Sequence, residues 1–266
     1  MPATFAATNP MSRYVPLPGL TPLRFRMSAL RWSWLALSRK GCSWLRVAVL
    51  LFCPDQPVTA AEHIDHIIVG TSDLVAAVTE IERITGVRPV LGGTHPGHGT
   101  RNALMSIGPM TYLELLAPNP DAPIASKEIA SLKALRRMTP IGWAVSSVHL
   151  PSVPNEPHSS NLSVTKPEPG SRLLPDGSVL HWSTFRYAEP ASPNAPFFIQ
   201  WNNISLHPSR TSPKGCRLLS LHIDDPRAAD LRSALDPLKL PVEIERANAH
   251  AIRLRIRCPK GLVTFS

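Results

Sequence analysis

The alternation of apolar and polar positions becomes regular at His63. Residues 64–70 predict a short β-branched strand, and Leu74, Val78 and Ile81 then fall at helical spacing within 74–85. Ser72 or Asp73 can cap that helix and Gly86 ends it. Strands follow at 87–91, 102–107 and 111–116, the first two separated by the glycine-rich loop 92–100. The spacing over 127–137 predicts a linking helix, and 141–148 a further strand. The middle of the chain is less regular: a loop over 151–157, a weak strand at 161–165, then strands at 178–187 and 197–201 introduced by Gly177 and Pro196. The end repeats the opening order, with a strand at 217–223, a helix at 226–238 and strands at 242–246, 251–257 and 262–265. Arg253, Arg255 and Arg257 alternate with Leu254 and Ile256, as on a half-exposed strand. Repetition of strand, helix and three strands argues for an α+β fold of duplicated βαβββ modules forming a cupped, strongly bent sheet, with a partial extra module at the C-terminus. The first module spans 62–120 and further module sequence spans 140–266.

Charge changes the picture only once it is located. The 266 residues carry 28 Lys+Arg and 19 Asp+Glu, a formal net charge of +9. Seven of the basic residues (Arg13, Arg24, Arg26, Arg31, Arg39, Lys40 and Arg46) precede the first acid, Asp55. The remainder is nearly neutral, so a nucleic-acid partner is not expected, since phosphate tracking needs clustered basic residues on the folded surface. Residues 1–61 form a basic leader with a short apolar run, 47–53, and a small-residue stretch, Val58-Thr59-Ala60-Ala61. It admits three readings: a misassigned start with a cytoplasmic protein behind it, an export signal, or an organelle transit segment. No apolar run has the length of an integral membrane span. Cys216 and Cys258 are the two cysteines outside the leader. Two buried thiols are expected there, with pairing as the alternative if the protein is exported.

The candidate chemistry lies on the first module. The segment His66-Ile67-Ile68-Val69-Gly70-Thr71-Ser72-Asp73 and the strand Tyr112-Leu113-Glu114-Leu115-Leu116 resemble the first and fourth strands of glyoxalase-like proteins of the vicinal oxygen chelate (glyoxalase/bleomycin resistance/dihydroxybiphenyl dioxygenase) superfamily. His95-Pro96-Gly97-His98-Gly99-Thr100-Arg101-Asn102, Phe197-Phe198-Ile199-Gln200-Trp201 and His207-Pro208-Ser209 resemble landmarks of one glyoxalase-like subfamily. The resemblance covers roughly residues 63–266. It implies paired βαβββ modules around a metal or ligand site, with a small-molecule substrate, and it admits a homodimer. It also implies that His66 and Glu114 are ligands to a divalent metal, Glu114 also serving as a catalytic base. A neutral imidazole and a carboxylate fixed on sheet strands suit Zn, Ni, Mn or Fe, and such an ion stabilises a developing enediolate.

The sequence departs from that pattern in the second module. Its first strand, Ile141-Gly142-Trp143-Ala144-Val145, has no His, and the terminal strand Leu262-Val263-Thr264-Phe265 has no Glu. His181, His207, His222 or Gln200 would have to complete a metal shell. Two functions therefore stand side by side. One is a metal-assisted lyase, isomerase, dioxygenase or hydrolase. The other is a metal-free binding or sequestering protein, walled by Trp143, Trp182, Phe198 and Trp201. The expected ligand-binding residues are His95, His98, Asn102, Trp143, Gln200, Trp201 and His207. His63 is three residues from His66, so on a strand it points to the opposite face. No HExxH, GxSxG or GxGxxG motif supports another chemistry.

Overall fold

A computed structural model of the protein describes residues 62–121, 125–147, 163–188, 191–202 and 207–266. The leader, the loop expected at 151–157 and the start of the strand expected at 161–165 lie outside the described residues. β1 (His63–Gly70), α1 (Leu74–Thr85), β2 (Val90–His95), β3 (Thr100–Ser106) and β4 (Tyr112–Pro118) make the first half of a barrel. After α2 (Lys127–Ala134), the strands β5 (Thr139–Ser146), β6 (Glu168–Leu173), β7 (Val179–Arg186) and β8 (Phe197–Trp201) make the second half. The closed order β1-β4-β3-β2-β6-β7-β8-β5 contains the same arrangement twice, since β5-β8-β7-β6 repeats β1-β4-β3-β2. In each half the first and fourth strands run parallel, and β1 joins β5 antiparallel across the seam.

The period of two along the strands separates core from lumen. Leu113, Leu115 and Ala117 of β4 are fully buried on the outer face, in one apolar cluster with Ala77, Val78 and Ile81 of α1. The intervening Tyr112, Glu114 and Leu116 face the interior of the barrel. The dense core thus lies outside the barrel, between sheet and helix, and the lumen is left open for a ligand. Asp73 caps α1, accepting from the backbone N–H groups of Val75 and Ala76 at 2.9 and 3.1 Å, which settles the choice between the two expected caps.

Beyond α3 (Pro208–Thr211), the strands β9 (Arg217–Asp225), β10 (Val242–Arg246), β11 (Ala251–Cys258) and β12 (Gly261–Phe265) form a separate sheet in the order β10-β9-β11-β12. The helix α4 (Ala228–Leu235) and a 3-10 turn (Asp236–Leu238) connect β9 to β10. The element order of the opening recurs here, but the pairing does not. β9 pairs in parallel with β10, the strand directly after its helix, whereas β1 pairs with the fourth strand of its half. Leu221, Ile223, Leu254 and Ile256 bury this sheet in the apolar cluster that also holds Ile67, Val69 and Trp143. The strand that completes the second half of the barrel is consequently β8, not the terminal β12.

Three local expectations are corrected. β2 begins at Val90 and runs through Gly92 and Gly93 to His95, so half of the expected glycine loop is strand. The glycines are there because the space is taken: a Cβ on Gly92 would lie 2.3 Å from the Asn102 side-chain oxygen, and one on Gly93 1.9 Å from the Leu173 carbonyl, with φ of +131° at Gly93. β6, with the sequence Glu-Pro-Gly-Ser-Arg-Leu, lacks apolar alternation and was not expected as a strand. Cys216 and Cys258 are joined in a disulfide rather than remaining as two thiols. Among the described residues no helix is long and apolar enough to cross a membrane.

Candidate functional site

The barrel lumen is a cavity of about 510 Å³. On its floor, β1 and β4 run in parallel register with Ile68 beside Glu114 and His66 beside Tyr112. This places His66 and Glu114 diagonally on neighbouring strands, with His66 Nε2 3.6 Å from Glu114 Oε2. Both side chains are buried.

Each of the two is held from behind. The pairing of β1 with β5 passes from Ile64–Val145 to His66–Ala144, so Asp65 is an extra residue in a β-bulge. The bulge turns Asp65 inward, where it is fully buried and its Oδ1 lies 2.7 Å from His66 Nδ1. Its Oδ2 accepts from the indole N–H of Trp201 at 2.9 Å and faces His207 Nε2 at 3.1 Å. Burial pushes the Asp65 carboxyl upward, but the hydrogen bonds from His207 and His66 and their electrostatic attraction outweigh it and hold Asp65 down at about 2. A carboxylate facing Nδ1 assigns the proton of a neutral His66 ring to that nitrogen, and the lone pair to Nε2 on the side of Glu114. The same reasoning gives His207 a hydrogen on Nε2, leaving Nδ1 to accept from the Ser209 backbone N–H at 3.2 Å.

Glu114 is fixed through Asn102 of β3, whose Nδ2 donates to Glu114 Oε1 at 2.7 Å. The same amide lies 3.3 Å from His95 Nε2, and His95 Nδ1 is 2.8 Å from Thr100 Oγ1. His95 Nε2 is in turn 3.8 Å from Glu114 Oε1. Burial pushes the His95 imidazole toward its neutral form; Glu114 opposes this and Arg172 reinforces it. Tyr112 stacks on His66 with ring centroids 4.7 Å apart. Its hydroxyl is pushed well above the usual range, first by burial and then by Asp65 and Glu114.

His66, Glu114, His95, His98, Asn102 and Trp201 all line the cavity, His98 at its exposed mouth. Trp143, Gln200 and His207 do not. Trp143 is core, its indole N–H donating to the Asn194 carbonyl at 2.9 Å. Gln200 lies between the lining residues Ile199 and Trp201 on β8 and so takes the other face. His207 stands behind the cavity wall on Asp65. Of the expected aromatic walls, Trp182 and Trp201 line the lumen, while Phe198 is buried and stacked on Phe185. Residues missed from the sequence are Asp65, Tyr112, Thr100 and Arg172. The acid inside the apolar strand His-Ile-Asp-His-Ile-Ile-Val was a readable signal for Asp65; nothing comparable marked Arg172.

His66 Nε2 and Glu114 Oε2 fit a divalent ion: a neutral imidazole lone pair and a carboxylate oxygen converge with the spacing of two ligands on one ion. His95 Nε2, 3.8 Å from Glu114 Oε1, does not complete a three-ligand group with them, so the described residues offer two ligands here. None of His181, His207, His222 and Gln200 lines the cavity. Among the described residues, the single group of metal-type side chains with ligand atoms all within 4.8 Å is His222, Asp224 and Glu245. It lies on the C-terminal sheet, and Arg253 already pairs with Asp224 at 2.9 Å.

Comparison with known proteins agrees with this architecture. A family model described as a glyoxalase-like domain matches residues 64–239. A search of curated proteins finds no match. Among solved structures, a hypothetical protein from Staphylococcus aureus superposes with a TM-score of 0.55 at 14% identity, covering 77% of this chain and 99% of that one. A variant of Streptomyces coelicolor methylmalonyl-CoA epimerase bound to 2-nitronate-propionyl-CoA aligns over 53% of this chain and 97% of its own, with 16% identity and a TM-score of 0.39. Methylmalonyl-CoA epimerase from Mycobacterium tuberculosis aligns over 53% and 88%, with 17% identity and a TM-score of 0.38. With its doubled β1-β4-β3-β2 arrangement and a family match over most of its length, the chain belongs to the glyoxalase-like domain family.

Proposed function

We propose that the cavity binds a small oxygenated molecule beside a divalent ion (Zn, Ni, Mn or Fe) that His66 and Glu114 would hold, and that Glu114 takes a proton from the molecule with the oxygen it withdraws from the ion. The observation that carries this reading is the Asp65–His66–Glu114 arrangement: a buried carboxylate fixes the His66 proton on Nδ1, so that Nε2 and Glu114 Oε2 face each other at 3.6 Å on the cavity floor. When bound, the ion stabilises negative charge on a substrate oxygen next to the carbon that is deprotonated. Asn102 holds one oxygen of Glu114 and leaves the other toward the lumen. Trp182 and Trp201, with ring centroids 5.4 Å apart, wall the site on the side of the second half-barrel. The reaction class is lyase or isomerase chemistry through an enolate-like species.

Proton transfer has a direct readout. Small α-hydroxy ketones and 2-oxo acids incubated with the protein in D2O should exchange the hydrogen on the carbon beside the carbonyl, followed by NMR. Glu114→Gln should slow this exchange by about 100-fold or more, within the range general-base removal covers. A variant that exchanges as fast as the wild type would reject Glu114 as the base.

The metal-free binding protein remains the second reading, favoured by the composition of the other half of the lumen. There β7 and β8 contribute Trp182, Thr184, Arg186, Phe197, Ile199 and Trp201, none of them a His or a carboxylate. Titration of the metal-stripped protein with divalent ions separates the two.

The Cys216–Cys258 disulfide supports the export reading of the leader, because such bonds persist in oxidising compartments. N-terminal sequencing of the mature native protein is expected to begin at Ala61 or Glu62. A start near Thr59 with a retained initiator would return the protein to the cytoplasm.

A further inference from the structure

Arg172 sits on β6 with 4% of its surface exposed, and it lines the cavity. Its charge cannot be removed at any ordinary pH, so burial requires a compensating partner. Among the described residues it forms no ion pair, and its Nε has no hydrogen-bond partner. The two buried acids of the site are committed elsewhere: Glu114 to Asn102 and His66, and Asp65 to His66, Trp201 and His207. The stem of Arg172 is wedged at the join of the half-barrels, where Gly93 leaves room; a Cβ there would be 3.2 Å from Arg172 Cγ. The fold thus places in the wall of the barrel lumen a buried arginine whose Nε has no partner among the described residues, a placement that is costly unless an anion arrives.

We infer that the cavity takes a ligand bearing a carboxylate, received by Arg172, with its apolar body against Trp182, Trp201 and Phe197. A planar guanidinium pairs bidentately with carboxylate or phosphate. Glu168, Glu128 and Arg186 are exposed at the lining of the same cavity, a rim of net negative charge that disfavours a dianion relative to the singly charged group. Arg172 is here a binding residue. The inference rests on the proposal that this cavity is the ligand site, but not on Glu114 acting as a base or on a metal.

The test is calorimetric titration of the full chain with phenylpyruvate, its uncharged counterpart phenylacetone, and phenyl phosphate. Phenylpyruvate should bind at least tenfold more tightly than phenylacetone. Arg172→Gln should remove that preference, the two affinities becoming equal, and Arg172→Lys should retain part of it. Equal affinity for the acid and the ketone in the wild type would overturn the anion role, as would a preference unchanged in Arg172→Gln. Tighter binding of phenyl phosphate would overturn the choice of carboxylate. Binding of none of the three overturns the cavity as ligand site, a failure distinct from the loss of charge preference alone. If Arg172→Gln does not fold, the wild-type comparison and Arg172→Lys still decide the matter.

Discussion

Asp65→Ala should lower the stability of the protein by about 3–5 kcal/mol, the range for removing one member of a buried charged network. Asp65 is fully buried and accepts from three groups: His66 Nδ1, the Trp201 indole and His207 Nε2. Deleting it strands three donors in a dry interior, each of which carries a desolvation cost of roughly 1–3 kcal/mol when left unmade. Urea unfolding followed by tryptophan fluorescence measures the loss. A change below about 1 kcal/mol would mean that the network is not the anchor described here.

The same residue gives stability a defined pH dependence. Its carboxyl is depressed in the fold from an ordinary 3.8 to about 2. A depressed carboxyl contributes stability that is fully present above the unfolded value and is lost as pH falls through the folded one. The wild type should therefore lose on the order of 2 kcal/mol between pH 4 and pH 2 that Asp65→Asn does not lose. The conservative variant also separates positioning from folding. An amide N–H placed against His66 Nδ1 would drive the ring proton to Nε2, toward Glu114, so Asp65→Asn should fold yet bind metal poorly. A stability difference between wild type and Asp65→Asn that stays flat across that pH range would contradict the assignment.

Much of the fold was legible because the elements that build it announce themselves. α1 carries its apolar stripe and its Asp73 cap in the sequence, and β1, β3 and β4 are apolar runs bounded by turn residues. The segments that misled are those whose shape is dictated by neighbours. β2 passes through Gly92 and Gly93 because Asn102 and the Leu173 carbonyl occupy the space beside them, and local propensity sees glycine only as loop. The C-terminal sheet copies the βαβββ order while pairing β9 with β10, a choice made by which surface each strand buries. At the site, His66 and Glu114 could be named because the segments that carry them resemble the first and fourth strands of glyoxalase-like proteins. Asp65 lies in the same strand as His66, but its role depends on a bulge that turns it to the same side. Trp143 and His207 were named as ligand-facing residues although one packs in the core and the other braces Asp65, since sequence spacing gives the face of a strand but not what lies across from it. Arg172 could not be found at all, because its importance is the absence of a partner.

His66→Ala should cost the protein its divalent ion. With the imidazole gone, Glu114 is left as one anchored ligand, and a single carboxylate on a sheet strand does not compete with water for a divalent ion. Loss of one of two protein ligands is expected to weaken binding by at least 100-fold, beyond the 10–100-fold typical of losing a supporting hydrogen bond. Because His66→Ala also removes one of the three groups that Asp65 accepts from, circular dichroism confirms that the variant is folded before its metal content is read. The decisive measurement is titration of the metal-stripped full chain with Zn, Ni, Mn and Fe(II), read by calorimetry and checked by elemental analysis of the purified protein. The arrangement on the cavity floor predicts one ion per chain at micromolar concentration or tighter, lost in His66→Ala. No ion bound at micromolar concentration, or a stoichiometry unchanged by His66→Ala, would contradict the metal-assisted reading and leave a metal-free ligand-binding barrel.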